Sequence, residues 1–118
     1  MKTILIVDDS TFMRSIIKKM ISGLDVVVAG EAENGKIGVE KYKELNPDIV
    51  TMDLNMNEMT GLEALKEILC YDPDASVIMV SALGGQEPII EEAMSLGAKG
   101  VLVKPFKEPQ ILRILRDL

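Results

Sequence analysis

The chain has 118 residues, so a single domain spanning residues 1–118 is expected. A hydrophobic share of 47% is too high for a disordered protein, and the net charge of −6 without a basic run argues against nucleic acid as a partner. The chain has no histidine and a single cysteine, Cys70, which excludes histidine-dependent nucleophile schemes and thiolate metal clusters.

The chain begins with a short apolar run and not with a targeting segment. The stretch Lys2–Val7 is too short for a signal peptide or a membrane-spanning helix. We therefore expect a cytoplasmic protein that does not associate with membranes.

Five short apolar or β-branched runs predict strands that are buried on both faces. These runs are Thr3–Asp8, Val26–Ala32, Ile49–Asp53, Ser76–Ser81 and Gly100–Lys104. Segments with helical spacing alternate with them, namely Thr11–Ile21, Lys36–Leu45, Leu62–Cys70, Glu87–Leu96 and Glu108–Leu118. Because crossovers between parallel strands are right-handed, this alternation predicts an α/β fold. We expect a doubly wound, five-stranded parallel sheet of the flavodoxin-like type, with strand order 2-1-3-4-5.

Capping and turn residues support these boundaries. Ser10 can cap the first helix, and Asn34-Gly35 favours a turn before the second. Pro88 suits a first helical turn, and Gly97 suits a helix C-terminus.

Polar residues close four of the predicted strands. Asp8-Asp9 closes the first strand and Asp53 the third, while Ser81 and Lys104 close the fourth and fifth. In an open parallel sheet, ligands bind outside the carboxyl ends of the strands, where the strand order reverses. That point lies between strands one and three, so the three carboxylates are expected to converge there.

Carboxylates that converge in a small cleft repel one another unless a cation neutralises them. Hard oxygen ligands suit Mg²⁺ or Mn²⁺, and Mg²⁺ often recruits phosphate oxygens as further ligands. A carboxylate beside such a metal can attack phosphorus, while a lysine balances the charge of the phosphoryl oxygens. Asp53 and Lys104 fit these two roles.

Each of these residues also has a simpler structural explanation. Asp8-Asp9 could favour the dipole of the first helix, and Asp53 could be an ordinary loop acid. Lys104 could be a solvated strand end, and Ser81 a turn residue. The coincidence of all of them at one edge of the sheet favours the functional interpretation.

The sequence resembles the receiver domains of two-component signalling, and more closely the small chemotaxis regulators of the CheY type. The resemblance extends over the whole chain. The matching stretches are Leu5–Ser10, Phe12–Arg14, Pro47–Asp53, Gly61, Val80–Ala82 and Val103–Phe106.

The resemblance implies that Asp53 accepts a phosphoryl group. The implied Mg²⁺ ligands are Asp8, Asp9, Asp53 and the backbone carbonyl of Asn55. Ser81 would hydrogen-bond the phosphoryl group and Lys104 would pair with it, while the small side chain of Ala82 would leave it accessible.

Two departures from the family concern the switch. Asn57 stands where the family usually has proline, and Val101 stands where it usually has an aromatic residue.

Asn55 and Leu83 fall at positions where the family tunes autodephosphorylation. Gly84-Gly85 provides a flexible hinge before the fourth helix, so we expect the signal to travel mainly through that loop and helix.

The resemblance also implies the partners. A histidine kinase of the CheA type would supply the phosphoryl group, because the chain has no histidine and no P-loop. A motor-switch protein or adaptor would receive the signal, and a dedicated phosphatase is a further candidate partner. A monomer is expected, and the chain is not expected to be an enzyme beyond self-phosphorylation and autodephosphorylation.

Three other functions are compatible with parts of this pattern. A receiver fragment of a larger transcriptional regulator would have a similar sequence, although the chain begins at methionine and has no linker. A flavodoxin-like electron carrier is disfavoured because Asp8-Asp9 would repel the flavin phosphate. An aspartyl-phosphate phosphatase usually has a second acid two residues after the first, whereas here Asn55 follows Asp53.

Overall fold

A computed structural model describes residues 1–56, 58–82, 84 and 86–118. In these ranges the strands are β1 (Lys2–Val7), β2 (Val26–Ala32), β3 (Ile49–Asp53), β4 (Val77–Ser81) and β5 (Gly100–Val103). The helices are α1 (Thr11–Ile21), α2 (Gly35–Leu45), α3 (Gly61–Tyr71), α4 (Glu87–Leu96) and α5 (Glu108–Arg116). The predicted alternation is confirmed: most boundaries agree with the prediction, and the others differ from it by one or two residues.

The strands form one parallel sheet in the order β2-β1-β3-β4-β5, which confirms the predicted topology. Ile4 pairs with Ile49 and Val7 with Met52, so β1 and β3 run side by side at the centre of the sheet. The chain leaves β1 toward β2 on one side and continues from β3 toward β5 on the other. The strand order therefore reverses between β1 and β3.

The two faces of the sheet are covered by different helices. Leu5 and Val7 face a core formed with α2, α3 and α4, whereas Ile4 and Ile6 face a second core formed with α1 and α5. Since side chains alternate between the faces of a strand, helices on both sides explain the uninterrupted apolar run of β1.

The prediction that all five strands are buried on both faces is wrong for the two edge strands. Val27 in β2 is 45% exposed and Val103 in β5 is 38% exposed. The helices cover the centre of the sheet more completely than its edges, so burial on both faces is confined to the central strands.

The helix starts are fixed by side-chain caps. The Ser10 hydroxyl accepts a hydrogen bond from the Met13 N–H at 3.2 Å, as expected for the N-cap of α1. Asn34 is the N-cap of α2, so Asn34-Gly35 opens a helix directly and does not form a separate turn. Gly97 ends α4 with a positive φ of 125°. Within the described ranges, every helix is too short or too polar to span a lipid bilayer.

Candidate functional site

Three carboxyl groups meet at the carboxyl edge of the sheet. Asp8 follows β1, Asp53 ends β3, and Asp9 stands one residue further along the loop. One carboxylate oxygen from each lies within 4.8 Å of the others. Asp8 and Asp53 are almost completely buried, whereas Asp9 is exposed, so the cluster has a buried base and an accessible side.

The Lys104 ammonium group lies beside this cluster. Its Nζ is 3.5 Å from Asp8 Oδ2 and 3.6 Å from Asp53 Oδ2. The backbone places it there, because the Lys104 N–H donates to the Ser81 carbonyl at 2.8 Å. A single ammonium group cannot balance three carboxylates, so an excess of negative charge remains at the site.

Burial is the main cause of an unusual pKa at Asp53. Desolvation and the nearby Asp8 carboxylate raise the pKa of Asp53 from its ordinary 3.8 to about 6. Lys104 and the Asn55 N–H, which donates to Asp53 Oδ1 at 3.2 Å, lower the pKa and oppose these effects. Asp53 is therefore mostly ionised at neutral pH, but its ionised form is destabilised.

Two polar atoms at the site lack a hydrogen-bond partner among the described residues. One is Asp8 Oδ2, whose fellow oxygen Oδ1 accepts from the Ser10 N–H at 2.9 Å. The other is the hydroxyl of Ser81, which is fully buried at the end of β4. Buried polar atoms normally find partners, so both atoms can still bind a ligand at this edge, in addition to the 3.5 Å ion pair between Asp8 Oδ2 and Lys104.

A cavity of about 320 Å³ opens beside the cluster. Its lining includes Asp9, Leu54, Asn55, Met56 and Thr60. This cavity leaves the exposed side of the carboxylate cluster open to solvent and to small molecules.

Glycine is needed where α3 begins against the site. A Cβ atom at Gly61 would lie 2.2 Å from the Asp53 carbonyl oxygen, a distance that a side chain cannot adopt. The Gly61 N–H also donates to the Leu54 carbonyl at 3.2 Å. The start of α3 therefore lies directly against the end of β3, beside Asp53.

Arg14 supports the site from α1. Its Nη1 donates to the Asp8 carbonyl at 2.5 Å and its Nε to Glu31 Oε1 at 3.0 Å. Lys18 also binds Glu31, and mainly this hydrogen bond, with help from Arg14, holds the pKa of Glu31 below its usual value. The sequence shows the basic residues of α1 but not the contact of Arg14 with the carbonyl of Asp8.

A glutamine that the sequence analysis did not single out lies at the mouth of the site. Gln86 precedes α4, and its carboxamide contacts both Ala82 and Asn55. A glutamine before a helix carries no signal in the sequence, because its role depends on the path of two separate loops.

Three predicted positions, Asn57, Leu83 and Gly85, lie outside the described residues. Gly84 has a positive φ of 81°, which suits the flexible hinge expected there. Val101 is partly buried and packs against the core on the α2, α3 and α4 side.

Comparison with known proteins places these features in a family. Residues 4–116 match the family model of the response regulator receiver domain. The chain is 52% identical to the chemotaxis protein CheY of Thermotoga maritima over 117 residues, covering 99% of this chain and 97% of that protein. It is 50% identical to CheY of Bacillus subtilis over 112 residues, covering 95% and 92%.

Solved structures show the same likeness. The complex of CheX, CheY, BeF3 and Mg²⁺ from Borrelia burgdorferi contains a chain that superposes with a TM-score of 0.92 at 35% identity, covering 98% of this chain and 87% of that one. The response regulator domain of Thermotoga maritima CheB gives a TM-score of 0.89 at 38% identity, covering 98% and 94%. The chain belongs to the response regulator receiver domain family and is similar to the chemotaxis proteins named CheY.

Proposed function

We propose that this chain is a single-domain switch of a two-component phosphorelay, in which Asp53 accepts a phosphoryl group. The observation that carries the proposal is the convergence of Asp8, Asp9, Asp53 and Lys104 at the edge where the strand order reverses. An arrangement of acids and one lysine, with no histidine in the chain, suits a phosphoryl acceptor better than a hydrolase with its own general base.

The residues at this edge fit a bound Mg²⁺ ion. The site has excess negative charge, its ligand atoms are hard oxygens, and Asp8 Oδ2 has no hydrogen-bond partner among the described residues. We propose that Asp8, Asp9, Asp53 and the backbone carbonyl of Asn55 hold the ion. When bound, it would neutralise charge on the phosphoryl oxygens and orient the incoming group.

The chain's own residues then divide the remaining work. Asp53 is the nucleophile: a new bond forms between its carboxylate oxygen and phosphorus, while the bond from phosphorus to the donor's leaving atom breaks. Lys104 already lies 3.6 Å from Asp53 Oδ2 and would pair with the phosphoryl oxygens. The unpartnered Ser81 hydroxyl would donate to one of these oxygens, which gives this buried group the partner it lacks among the described residues.

The relatives suggest the surroundings in which such a switch works. Since they are named chemotaxis proteins, we propose a cytoplasmic role in the control of motility. A histidine kinase of the CheA type would be the phosphoryl donor, and a motor-switch protein or adaptor would be the receiver. In the solved complex a second protein, CheX, is bound to CheY, which supports a third protein partner for this chain, and we propose a dedicated phosphatase in that place. The chain itself would catalyse only its own phosphorylation and dephosphorylation.

Acetyl phosphate tests the central step without a kinase. Incubation with acetyl phosphate and Mg²⁺, followed by chemical trapping of the acyl phosphate and peptide mapping by mass spectrometry, should place one label on Asp53. Asp53→Asn should not be labelled at that position, and Lys104→Ala should be labelled more weakly than the native protein. Asp48→Asn, which changes the aspartate at the opposite end of β3, is the matched control and should be labelled normally. A label on another residue of the native protein would contradict the proposal.

A further inference from the structure

The side chain of Gln86 joins the two loops that border the site. Its Oε1 accepts a hydrogen bond from the Ala82 N–H at 2.7 Å, and its Nε2 donates to Asn55 Oδ1 at 2.9 Å. Ala82 follows β4 directly, and Asn55 lies two residues after β3. One carboxamide therefore bridges the loop after β3 and the loop after β4, and we call this contact the Gln86 bridge.

This conformation is not explained by the start of α4. Gln86 occupies the N-cap position, yet its side chain makes no capping hydrogen bond to the helix. A serine, threonine, asparagine or aspartate side chain at an N-cap usually accepts from an N–H group of the first helical turn. Here the side chain turns back toward β4, so its hydrogen bonds hold the site loops together and leave the helix end uncapped.

The Gln86 bridge is linked on both sides to the surroundings of Asp53, the proposed phosphoryl acceptor. Asn55 donates its backbone N–H to Asp53 Oδ1 at 3.2 Å, while its side chain binds Gln86. Ala82 follows Ser81 in the chain, and the buried hydroxyl of Ser81 has no hydrogen-bond partner among the described residues. A movement of Ser81 toward a phosphoryl group on Asp53 would shift the Ala82 peptide and break its bond to Gln86.

We propose that Gln86 is a positioning residue whose bridge holds the loop after β4 in its unphosphorylated arrangement and opposes phosphoryl binding at Asp53. This inference rests on the proposed function, because it requires a phosphoryl group at that residue. Release of the bridge frees the Ala82 N–H, which then becomes available to an anion at the mouth of the site. Loss of the bridge in advance should therefore tighten binding of a phosphoryl analogue.

Two substitutions separate this role from an effect on α4. Gln86→Met and Gln86→Ser both remove the carboxamide, but serine is a good N-cap and methionine is not. Gln110→Met is the matched control, because Gln110 also stands at a helix start and its Oε1 accepts from the Lys107 N–H at 2.6 Å. Gln110 lies on α5, outside both site loops.

The probe is beryllofluoride with Mg²⁺, titrated while the amide NMR spectrum is recorded. Both Gln86 variants should bind it about two- to tenfold more tightly than the native protein, the range expected for the loss of one exposed hydrogen bond. Gln110→Met should bind like the native protein. In the metal-free protein, the Ala82 amide should exchange with solvent faster in both Gln86 variants, which is a readout independent of the ligand.

The outcomes distinguish the two claims. If the native protein binds beryllofluoride and both Gln86 variants bind it with the same affinity as the native protein, the bridge has no positioning role. The proposed function still stands in that case. Tighter binding in Gln86→Met alone would also overturn the inference, because weakening of α4 would then explain it. If beryllofluoride does not bind the native protein at Asp53, both the inference and the proposed function fail.

Discussion

β3 carries an aspartate at each end, and the fold treats the two carboxyl groups in opposite ways. Asp48 precedes the strand, is exposed, and accepts hydrogen bonds from the Thr3 N–H at 2.8 Å and the Thr3 hydroxyl at 3.2 Å. These bonds hold the pKa of Asp48 below its usual value, with the backbone bond as the main cause. Asp53 ends the strand, is buried beside Asp8, and has its pKa raised to about 6.

The comparison separates an acid whose charged form is stabilised by the fold from one whose charged form is destabilised, which is the acid that we propose accepts a phosphoryl group. Asp48 joins the loop before β3 to the start of β1, and its charged form is stabilised both by the hydrogen bonds from Thr3 and by exposure to water. The ionised form of Asp53 is favoured by Lys104 and one N–H but opposed by burial and by a second carboxylate. Ionisable groups with such perturbed pKa values concentrate at functional sites, because a bound ligand can stabilise a charged form that the protein itself does not stabilise.

The largest expected contrast between the two ends is the response to Mg²⁺. A ligand that binds only the folded protein stabilises it by about 2.7 kcal/mol at a concentration about 100 times its Kd. The melting temperature of the native protein should therefore rise with Mg²⁺. Asp9→Asn should weaken Mg²⁺ binding on the order of tenfold or more, because a charged ligand becomes neutral.

Asp48→Asn is the control for this titration, since it removes an equal charge at the opposite edge of the sheet. Its melting temperature should rise with Mg²⁺ as in the native protein. Calorimetry over a range of Mg²⁺ concentrations measures both variants. An unchanged response of Asp9→Asn, or a response lost in Asp48→Asn, would place the ion elsewhere.

The second contrast is in the stability of the metal-free protein. Because the pKa of Asp53 is higher in the folded protein than in the unfolded chain, its ionisation destabilises the fold. Asp53→Asn should therefore raise the free energy of unfolding at pH 7 by on the order of 1–3 kcal/mol. The gain should develop between about pH 4 and pH 6 and vanish below that window.

Urea denaturation in the presence of EDTA, followed by circular dichroism, measures this gain, since the chain contains no tryptophan. Saturating Mg²⁺ should reduce or reverse the gain, because the native carboxylate then has a cation to bind. A less stable Asp53→Asn at pH 7 without metal would show that Asp53 is not a destabilised acid.

The contrast between the ends also shows how far the sequence could predict the site. The strand order and the polar residues at the strand ends follow from local patterns, which is why Asp8, Asp53 and Lys104 could be placed at one edge. The Gln86 bridge and the Arg14 contact with the Asp8 carbonyl could not be predicted. Each depends on the path of a loop or on the rotamer of a long side chain, and neither leaves a periodic signal.

The third prediction compares two buried hydroxyls without hydrogen-bond partners among the described residues, Ser81 at the site and Thr51 in the middle of β3. An unsatisfied buried hydroxyl costs roughly 1–3 kcal/mol of desolvation, so Ser81→Ala and Thr51→Val should each stabilise the metal-free protein, by about 1 kcal/mol. Only Ser81→Ala should weaken the NMR response of α4 to beryllofluoride. Equal responses in the two variants would remove Ser81 from the switch.

The smallest expected effect is that of Asp48→Asn on stability, and its sign is opposite to that of Asp53→Asn. Since the pKa of Asp48 is lower in the folded protein than in the unfolded chain, its ionised form stabilises the fold above the unfolded pKa, near pH 4. The amide introduced by Asp48→Asn keeps a neutral acceptor for the Thr3 N–H, so the substitution should cause only a modest loss at pH 7. The loss of stability should fade as the pH falls through the folded pKa of Asp48, because the native side chain is then neutral, as the asparagine amide is. Urea denaturation of both variants from pH 3 to pH 7 therefore gives two curves of opposite sign, one falling away below pH 4 and the other developing between pH 4 and pH 6. A stabilising Asp48→Asn at pH 7 would mean that the bonds from Thr3 do not favour the charged form, and the contrast between the two ends of β3 would then rest on burial alone.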